Sequence, residues 1–582
     1  MTLNLGSSNW NTFNGWEWEI TLNGYNFLIG RPLEADLSTN VHGRFLGAVT
    51  TRHLLSVAPT RSGKGVSLII PNLLLYRGAT IVIDPKGENA WITAEYRRTL
   101  GQKTIILDPW SEVNRRYGAK AGEFETVARF NPLSILDPVS EHYAEDVGYL
   151  ADAVIINQGK DPHWDDSARE LVAGLMAYVV EHPDFREEAS LPLVRLLLSK
   201  PVADICALAQ DARQFGPESV AARKLGRFVV ASKEMASIIS TALTQTAFLD
   251  SKTLAANMGA SDFSFEDLLT DQGVTIYLVL PIDKLQTFGR WLRLMVSIGI
   301  RTVARNTRKL PLPVLFMLDE FGTIGRLSAV EQAYGLMAGL QMIIWAFVQD
   351  LVQLRRDYPD SWETFIGNSE AVTFFCIMDQ FTCEHVSKML GKTTIERISA
   401  ATERVREGNF WSDGDPNYSQ RADQQYSRDL AQPAEVRWIT LDRGILVSRY
   451  LPSLFRPIVY YEVPFFVMRA RPDPHFSSMA SNKLMTLASF IPKRVLSDSA
   501  AAQAAIEKQG HQIKKKGLLT SKIRVVAPDG KEKTFHDEAA LLAYARKRLK
   551  EWIVMVDAGK IYAMEASEEN MNPPDDLWFA LY

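Results

Sequence analysis

Between the apolar run HLLSVAP (53–59) and a second one, GVSLIIPNLLL (65–75), lies the stretch APTRSGKG (58–65). A glycine-bearing turn that ends in lysine, set after a strand and before a helix, is the context of a phosphate-binding P-loop. It constrains the chain more than any other feature, because it calls for a strand, a tight turn and a helix that starts at the turn. Backbone N–H groups of such a turn can surround phosphate oxygens, and the helix adds its positive N-terminal end. Lys64 would neutralise β- and γ-phosphate charge, and Gly63 lets the backbone approach closely. The candidate nucleotide-binding residues are Thr60, Arg61, Ser62, Gly63, Lys64, Gly65 and Val66. Two positions depart from the usual pattern: Ala58 replaces its first glycine, and Gly65 replaces the hydroxyl residue that holds Mg²⁺. Water or another side chain would then complete the Mg²⁺ shell.

A second segment fits the first. VLFMLDE (314–320) is an apolar strand that ends in two carboxylates. One carboxylate at a strand end can hold Mg²⁺ through water, and the next can orient or deprotonate the attacking water. Asp319 is the metal candidate and Glu320 the water candidate, with Lys64 the third catalytic partner. Alone, such a strand is as well explained by a solvated acidic terminus; a P-loop upstream changes that balance. Gln349 ends the next strand, and its amide could sense the γ-phosphate, position water or simply cap the strand. Asp84, Lys86 and Glu88 close what looks like the strand beside the P-loop strand, as a lining of the nucleotide edge or a structural ion pair.

Strand runs at ATIVIDPKGE (79–88), KTIILDP (103–109), VTIYLVLP (274–281), MIIWAFVQ (342–349) and AVTFFCIM (371–378) alternate with helical patterns. That alternation predicts an α/β parallel sheet covered by helices. The expected domains are an N-terminal β-rich segment (1–50), a nucleotide-binding domain in two parts (51–139 and 271–480), an all-α domain between them (140–270) and a C-terminal extension (481–582). Finer expectations are a hairpin at Asn23–Gly24, an exposed polar loop over 393–430, and strands at 444–450 and 457–463. Beyond 480 they are a basic stretch (514–524), read as a solvated linker before a contact for DNA or a partner protein, a charged helix (539–552) and an acidic tail (565–576). A formal net charge of −4 argues against a globally basic nucleic-acid binder, though charge can segregate between surfaces. Cys206, Cys376 and Cys383 have neither zinc nor redox-pair spacing, which suggests a reduced protein without a structural metal. No run reaches the length of a membrane span, and the first residues lack a signal-peptide pattern.

Taken in order, APTRSGKGVSLIIPNLL, IVIDPKGE, RFNPL (129–133), the Trp164 helix, LDEFG and FVQDLVQL resemble the TraG-like coupling ATPases of conjugation and type IV secretion. AEVRWI (434–439) and PIVYYEVPFF (457–466) look like that family's closing strands. The resemblance spans roughly residues 40–475. It implies a RecA-like P-loop domain with an inserted all-α domain that faces the cytoplasm, and ATP and Mg²⁺ as cofactors. It also implies a hexameric ring at the inner membrane that brings relaxase-bound single-stranded DNA, or protein substrates, to a type IV secretion channel. Family members usually begin with transmembrane helices and this chain shows none, so the expectation is either a soluble variant or a chain held at the membrane by an anchored partner subunit.

Some relatives carry an arginine after the acidic pair that reaches a neighbouring subunit's site. Here 334–342 reads YGLMAGLQM, and Arg290, Arg293 and Arg326 are the substitutes. Arg195, Lys200, Arg213, Arg223, Lys224, Arg227 and Lys233 are candidate pore cations, each singly better explained as a solvated charge. Two other functions stay open: a double-stranded DNA translocase of the FtsK–HerA kind, and a nucleotide-gated receptor for secreted proteins that hydrolyses little.

Overall fold

Strands buried on both faces read as unbroken apolar runs, and the central strands of this chain do so. The computed structural model describes residues 45–118, 127–156, 162–336, 339–399, 422–449 and 452–473, with short strands at 19–20 and 27–32 and five more between 512 and 565. In chain order the strands are β1 (Glu19–Ile20), β2 (Phe27–Pro32), β3 (Phe45–Ala48), β4 (His53–Val57), β5 (Thr80–Ile83), β6 (Lys103–Leu107) and β7 (Val274–Leu278). They continue with β8 (Val314–Leu318), β9 (Met342–Val348), β10 (Ser369–Phe375), β11 (Lys392–Ser399), β12 (Ala422–Asp429), β13 (Gly444–Ser448) and β14 (Ser453–Arg456).

Twelve of them form one sheet in the order β1-β3-β2-β14-β13-β10-β4-β9-β8-β5-β7-β6. From β10 to β6 every neighbour is parallel; from β10 outward through β13, β14, β2, β3 and β1 every neighbour is antiparallel. Alternation along each central strand feeds two cores. On β8, Val314, Phe316 and Leu318 join the core that contains the helix Leu285–Ala304 and the helices between β6 and β7. Leu315 and Met317 join the opposite core, with the helices Ile70–Leu75 and Glu88–Thr99. The α/β, RecA-like class read from the sequence is therefore the one observed.

Between β6 and β7 the described chain is helical, built around His163–Glu181. Residues 171–180 of that helix are all buried, and Gly174 faces Leu225, where a Cβ would come within 2.5 Å of the leucine side chain. Among the described residues, no helix is long and apolar enough to cross a membrane.

Several expectations need correction. β1 and β2 do not pair as a hairpin at Asn23–Gly24; β3 lies between them and pairs with both. The polar stretch 393–430 is an antiparallel ribbon, β11 with β12, in register from Lys392↔Asp429 to Ser399↔Ala422, while 400–421 lie outside the described residues. Its strands have no apolar face to announce them. AEVRWI is helical, not a strand: Pro433–Asp442 starts with proline in its first turn and a capping box of Gln432 and Glu435. PIVYYEV holds only a 3₁₀ turn, Tyr460–Glu462, and the strand is β14 just before it. In the basic stretch, Lys514 and Arg524 are cross-strand partners in a three-stranded sheet rather than a linker. The charged helix expected at 539–552 and the acidic tail lie almost wholly outside the described residues.

Candidate active site

The P-loop begins where β4 ends. Ala58 N donates to Val348 O (2.8 Å), which ties the loop to β9. Arg61 (φ 65°) and Gly63 (φ 87°) take left-handed conformations, so the backbone doubles back before the helix. The first turn, Gly65–Ile69, is wound wide, and Ser67 N (2.9 Å) and Ser67 Oγ (2.8 Å) both donate to Gly63 O. A Cβ at Gly65 would meet no atom within 4 Å, so Gly65 leaves open space where a side chain would project.

The acidic pair closes the site. Glu320 is left-handed (φ 53°, ψ 37°), an uncommon conformation for a residue with a side chain, of the sort that clusters at functional sites. Lys64, only 8% exposed, places Nζ 2.7 Å from Glu320 Oε1 and 3.0 Å from Asp319 Oδ1. Gln349 Nε2 donates to Glu320 Oε2 (2.8 Å), and Glu320 N donates to Asp319 Oδ1 (2.9 Å). The reason Gln349 reaches Glu320 is topological: β9 lies between β4 and β8, so the P-loop strand and the acidic strand are not neighbours.

Burial opposes the Lys64 charge, yet the facing carboxylates of Asp319 and Glu320 outweigh it and raise the ammonium above its usual range. Burial pushes Asp319 up. It would push Glu320 up as well, but Lys64 and the Gln349 amide bring that carboxyl below its usual range. One ammonium against two carboxylates leaves this end of the cavity net negative. A bound polyanion would therefore need a cation, and a divalent ion would reverse the sign. The acid pair and the space at Gly65 fit that requirement.

The cavity has a volume of about 490 Å³, in the range of small-molecule sites. Thr60, Arg61, Gly63, Lys64, Gly65, Val66, Asp319 and Glu320 line it; Ser62 does not, and Gln349 acts from behind Glu320. Lys86 and Glu88 also line it. Asp84 lines it too, but β5 is separated from β4 by β9 and β8, so it does not close a strand beside the P-loop strand. Burial raises the Asp84 carboxyl to about 7, and Asp84 Oδ2 accepts from Ala90 N (2.8 Å), capping the helix Glu88–Thr99.

Arg116, Tyr117, Tyr461 and Asp473 line it as well, and sequence reasoning missed all four. They arrive from the segment after β6 and from beyond β14, with no motif to mark them. Of the three substitute arginines, Arg293 is buried and donates to Arg326 O, Arg326 pairs with Glu331 (3.0 Å), and Arg290 is half-buried. In the helical segment Arg195 is engaged by Asp250 and Lys224 by Glu170, and Arg227 sits over Phe228. Lys200, Arg213, Arg223 and Lys233 are exposed.

The family model described as type IV secretory system conjugative DNA transfer matches residues 29–483. A conjugal transfer protein TraG of Escherichia coli is 26% identical over 500 residues, which cover 79% of this chain and 72% of that protein. A second TraG of Escherichia coli is 27% identical over 381 residues, 61% of this chain and 57% of that protein. VirD4 of Agrobacterium fabrum is 26% identical over 469 residues, 78% of this chain and 66% of that protein. The chain thus spans about 57–72% of the length of these relatives. Two solved structures of the conjugative coupling protein TrwB share the fold with a TM-score of 0.53. The unbound form is 16% identical and covers 76% of this chain and 96% of that one. The complex with ADP and Mg²⁺ is 15% identical and covers 78% and 97%.

Proposed function

Since the chain belongs to the type IV secretory conjugative DNA transfer family, we propose that it is a coupling ATPase that brings relaxase-bound single-stranded DNA, or protein substrates, to a type IV secretion channel. The observation that carries this reading is the convergence of Lys64, Asp319, Glu320 and Gln349 at the carboxyl ends of neighbouring parallel strands, over a cavity of nucleotide size. ATP would lie with its phosphates over the turn from Thr60 to Val66. Lys64 would exchange its carboxylate partners for the β- and γ-phosphates. Asp319 would help hold Mg²⁺, which when bound supplies positive charge against the phosphates. Glu320, set by its left-handed backbone and by the Gln349 amide, would orient the attacking water and accept its proton.

The family model's description supports DNA transfer and the relatives' names conjugal transfer; a homohexamer and a membrane-anchored partner subunit are part of the same proposal. In a ring, the arginine that stabilises the transition state would come from a neighbour. Arg290 is the leading candidate, since Arg293 and Arg326 are already committed to contacts within the chain. The segment 140–270 would contact substrate, through exposed cations such as Lys200, Arg213, Arg223 and Lys233.

Steady-state ATP turnover, measured alone, with single-stranded DNA and with duplex, beside Lys64→Ala, tests the proposal. The expected result is stimulation by single strands that Lys64→Ala abolishes. Greater stimulation by duplex would favour a double-strand translocase. One observation favours a low-hydrolysis receptor: Gly65 brings no hydroxyl and the Ser67 hydroxyl is spent on Gly63 O. Tight ATP binding without turnover, with or without DNA, would select that function.

A further inference from the structure

The far end of the cavity is built by a segment remote in sequence from the P-loop. After β14 the chain passes through Tyr460–Glu462 and runs to Asp473 as a strap across the helix Glu88–Thr99. The strap is pinned there at several points. Arg471 N donates to Ile92 O (2.8 Å), and Trp91 Nε1 donates to Pro472 O (2.9 Å). The Arg471 guanidinium lies 3.7 Å from the centre of the Trp91 ring, and Arg469 Nε donates to Tyr96 OH (2.9 Å). At its start, the turn Tyr460–Glu462 packs on the first turn of the P-loop helix, Gly65–Ile69. Tyr461 is thereby half-buried in the cavity wall beside Gly65 and Val66.

Phosphate geometry gives this position a meaning. Lys64 and the acid pair serve the terminal phosphates, and the N–H groups that open the following helix serve the α-phosphate end. The ribose and base must leave the phosphate chain on that second side, past Val66. Tyr461 lines the cavity from a turn that lies against that helix turn, whereas the other tyrosine of the lining, Tyr117, is stacked on Trp91.

We propose that Tyr461 is the stacking platform for the nucleotide base, so that the strap, and not the P-loop, gives this site its preference for a nucleoside triphosphate over bare triphosphate. The proposal rests on the nucleotide reading of the site given above. Stacking on a phenol ring uses the π-face that every base has, so purine triphosphates should bind alike. The strap is held by the Trp91, Ile92 and Tyr96 contacts whatever occupies the cavity, so the platform is in place before the ligand arrives.

Equilibrium binding of a non-hydrolysable ATP analogue and of inorganic triphosphate, both with Mg²⁺, tests it on the full chain and on Tyr461→Ala, Tyr461→Phe and Lys64→Ala. The chain should bind the analogue at least tenfold more tightly than triphosphate. Tyr461→Ala should erase that ratio while binding triphosphate as the parent does, and Tyr461→Phe should keep it. Unchanged triphosphate affinity also reports that the variant is folded. A ratio unaltered by Tyr461→Ala overturns the inference and leaves the nucleotide site standing. If the parent binds neither ligand, or Lys64→Ala binds both as the parent does, the nucleotide reading falls and this inference falls with it.

Discussion

The two ends of the helix that follows the P-loop each bury a cation, and they bury it in opposite ways. At the start, Lys64 faces two carboxylates and an open cavity. At the end, Arg97, wholly buried, faces no carboxylate among its hydrogen-bond partners. Its Nη1 donates to Leu73 O and Tyr76 O (2.7 Å each), and its Nη2 to Gly78 O (2.8 Å) and Thr80 Oγ1 (3.1 Å). Its Nε donates to Thr275 Oγ1 on β7. Leu73 and Tyr76 supply carbonyls from the last turn of the helix, which lack partners within the helix and carry its negative pole. The planar guanidinium fork fits several fixed carbonyls at once, whereas an ammonium is a point charge whose partners can be exchanged. Fixed oxygens make Arg97 a permanent joint between helix, β5 and β7. Carboxylates beside a cavity make Lys64 a cation that a polyanion can claim.

The largest expected effect breaks the permanent joint. Arg97→Met removes all of those donors and leaves buried carbonyls without partners, a loss on the order of 3–5 kcal/mol. Chemical unfolding should show the midpoint falling sharply, or the protein should fail to fold. Arg97→Lys sharpens the comparison: if charge alone sufficed it would restore stability, and the fork geometry predicts that it restores less than half. Next comes Lys64→Ala. Turnover should drop by at least about a hundredfold, the scale of losing one transition-state charge contact. Its unfolding midpoint should fall less than that of Arg97→Met, because the carboxylates it leaves behind line a cavity and keep some exposure to solvent. Equal destabilisation by Lys64→Ala and Arg97→Met would erase the distinction between the two ends.

The same contrast explains what the sequence could tell. Lys64, Asp319 and Glu320 were legible because each ends or follows an apolar strand, and strand ends are where a parallel sheet collects its polar groups. Arg97 gave no signal: it sits in ENAWITAEYRRT beside Arg98, and nothing in that pattern says which arginine turns inward. Strand order was equally hidden. The sequence lists β4, β5, β8 and β9 in turn, but only the folded sheet puts β9 between β4 and β8 and so brings Gln349 to Glu320. The β-branched and aromatic residues of PIVYYEV predict a strand through Tyr461; in the fold Tyr460–Glu462 is a turn lying against the first turn of the P-loop helix, not a rung of a ladder.

Gln349 offers a smaller and more selective test. Its amide holds one oxygen of Glu320 while Lys64 holds the other. Gln349→Ala frees the carboxylate without removing it, so kcat should fall by roughly ten- to a hundredfold, within the range of general-base contributions, with KM little changed. A rise in KM alone would mean that the amide binds nucleotide rather than positions Glu320.

The smallest effect lies on the strand that delivers the P-loop. His53, on β4, accepts a hydrogen bond from Ile344 N at Nδ1 (3.1 Å), which leaves Nε2–H to donate to Ala333 O (3.1 Å). The Ile344 contact needs the neutral ring, since only an unprotonated Nδ1 can accept, and burial lowers the pKa despite the Ala333 carbonyl, which a charged ring could still reach. A histidine depressed in the folded state binds its proton more readily when unfolded. Its contribution is complete above the unfolded value of about 6.5 and is lost as pH falls toward the folded one, at no more than about 1.4 kcal/mol per pH unit. Stability measured between pH 7.5 and 5 should therefore decline less steeply in His53→Gln than in the parent, even if the variant starts lower. Other groups in the chain also titrate over this range, so the difference between the two slopes, not either slope alone, is the quantity that reports on His53. A steeper decline in the variant would mean that the imidazole carries its charge in the folded sheet, and that its Nδ1 does not accept from Ile344 on β9.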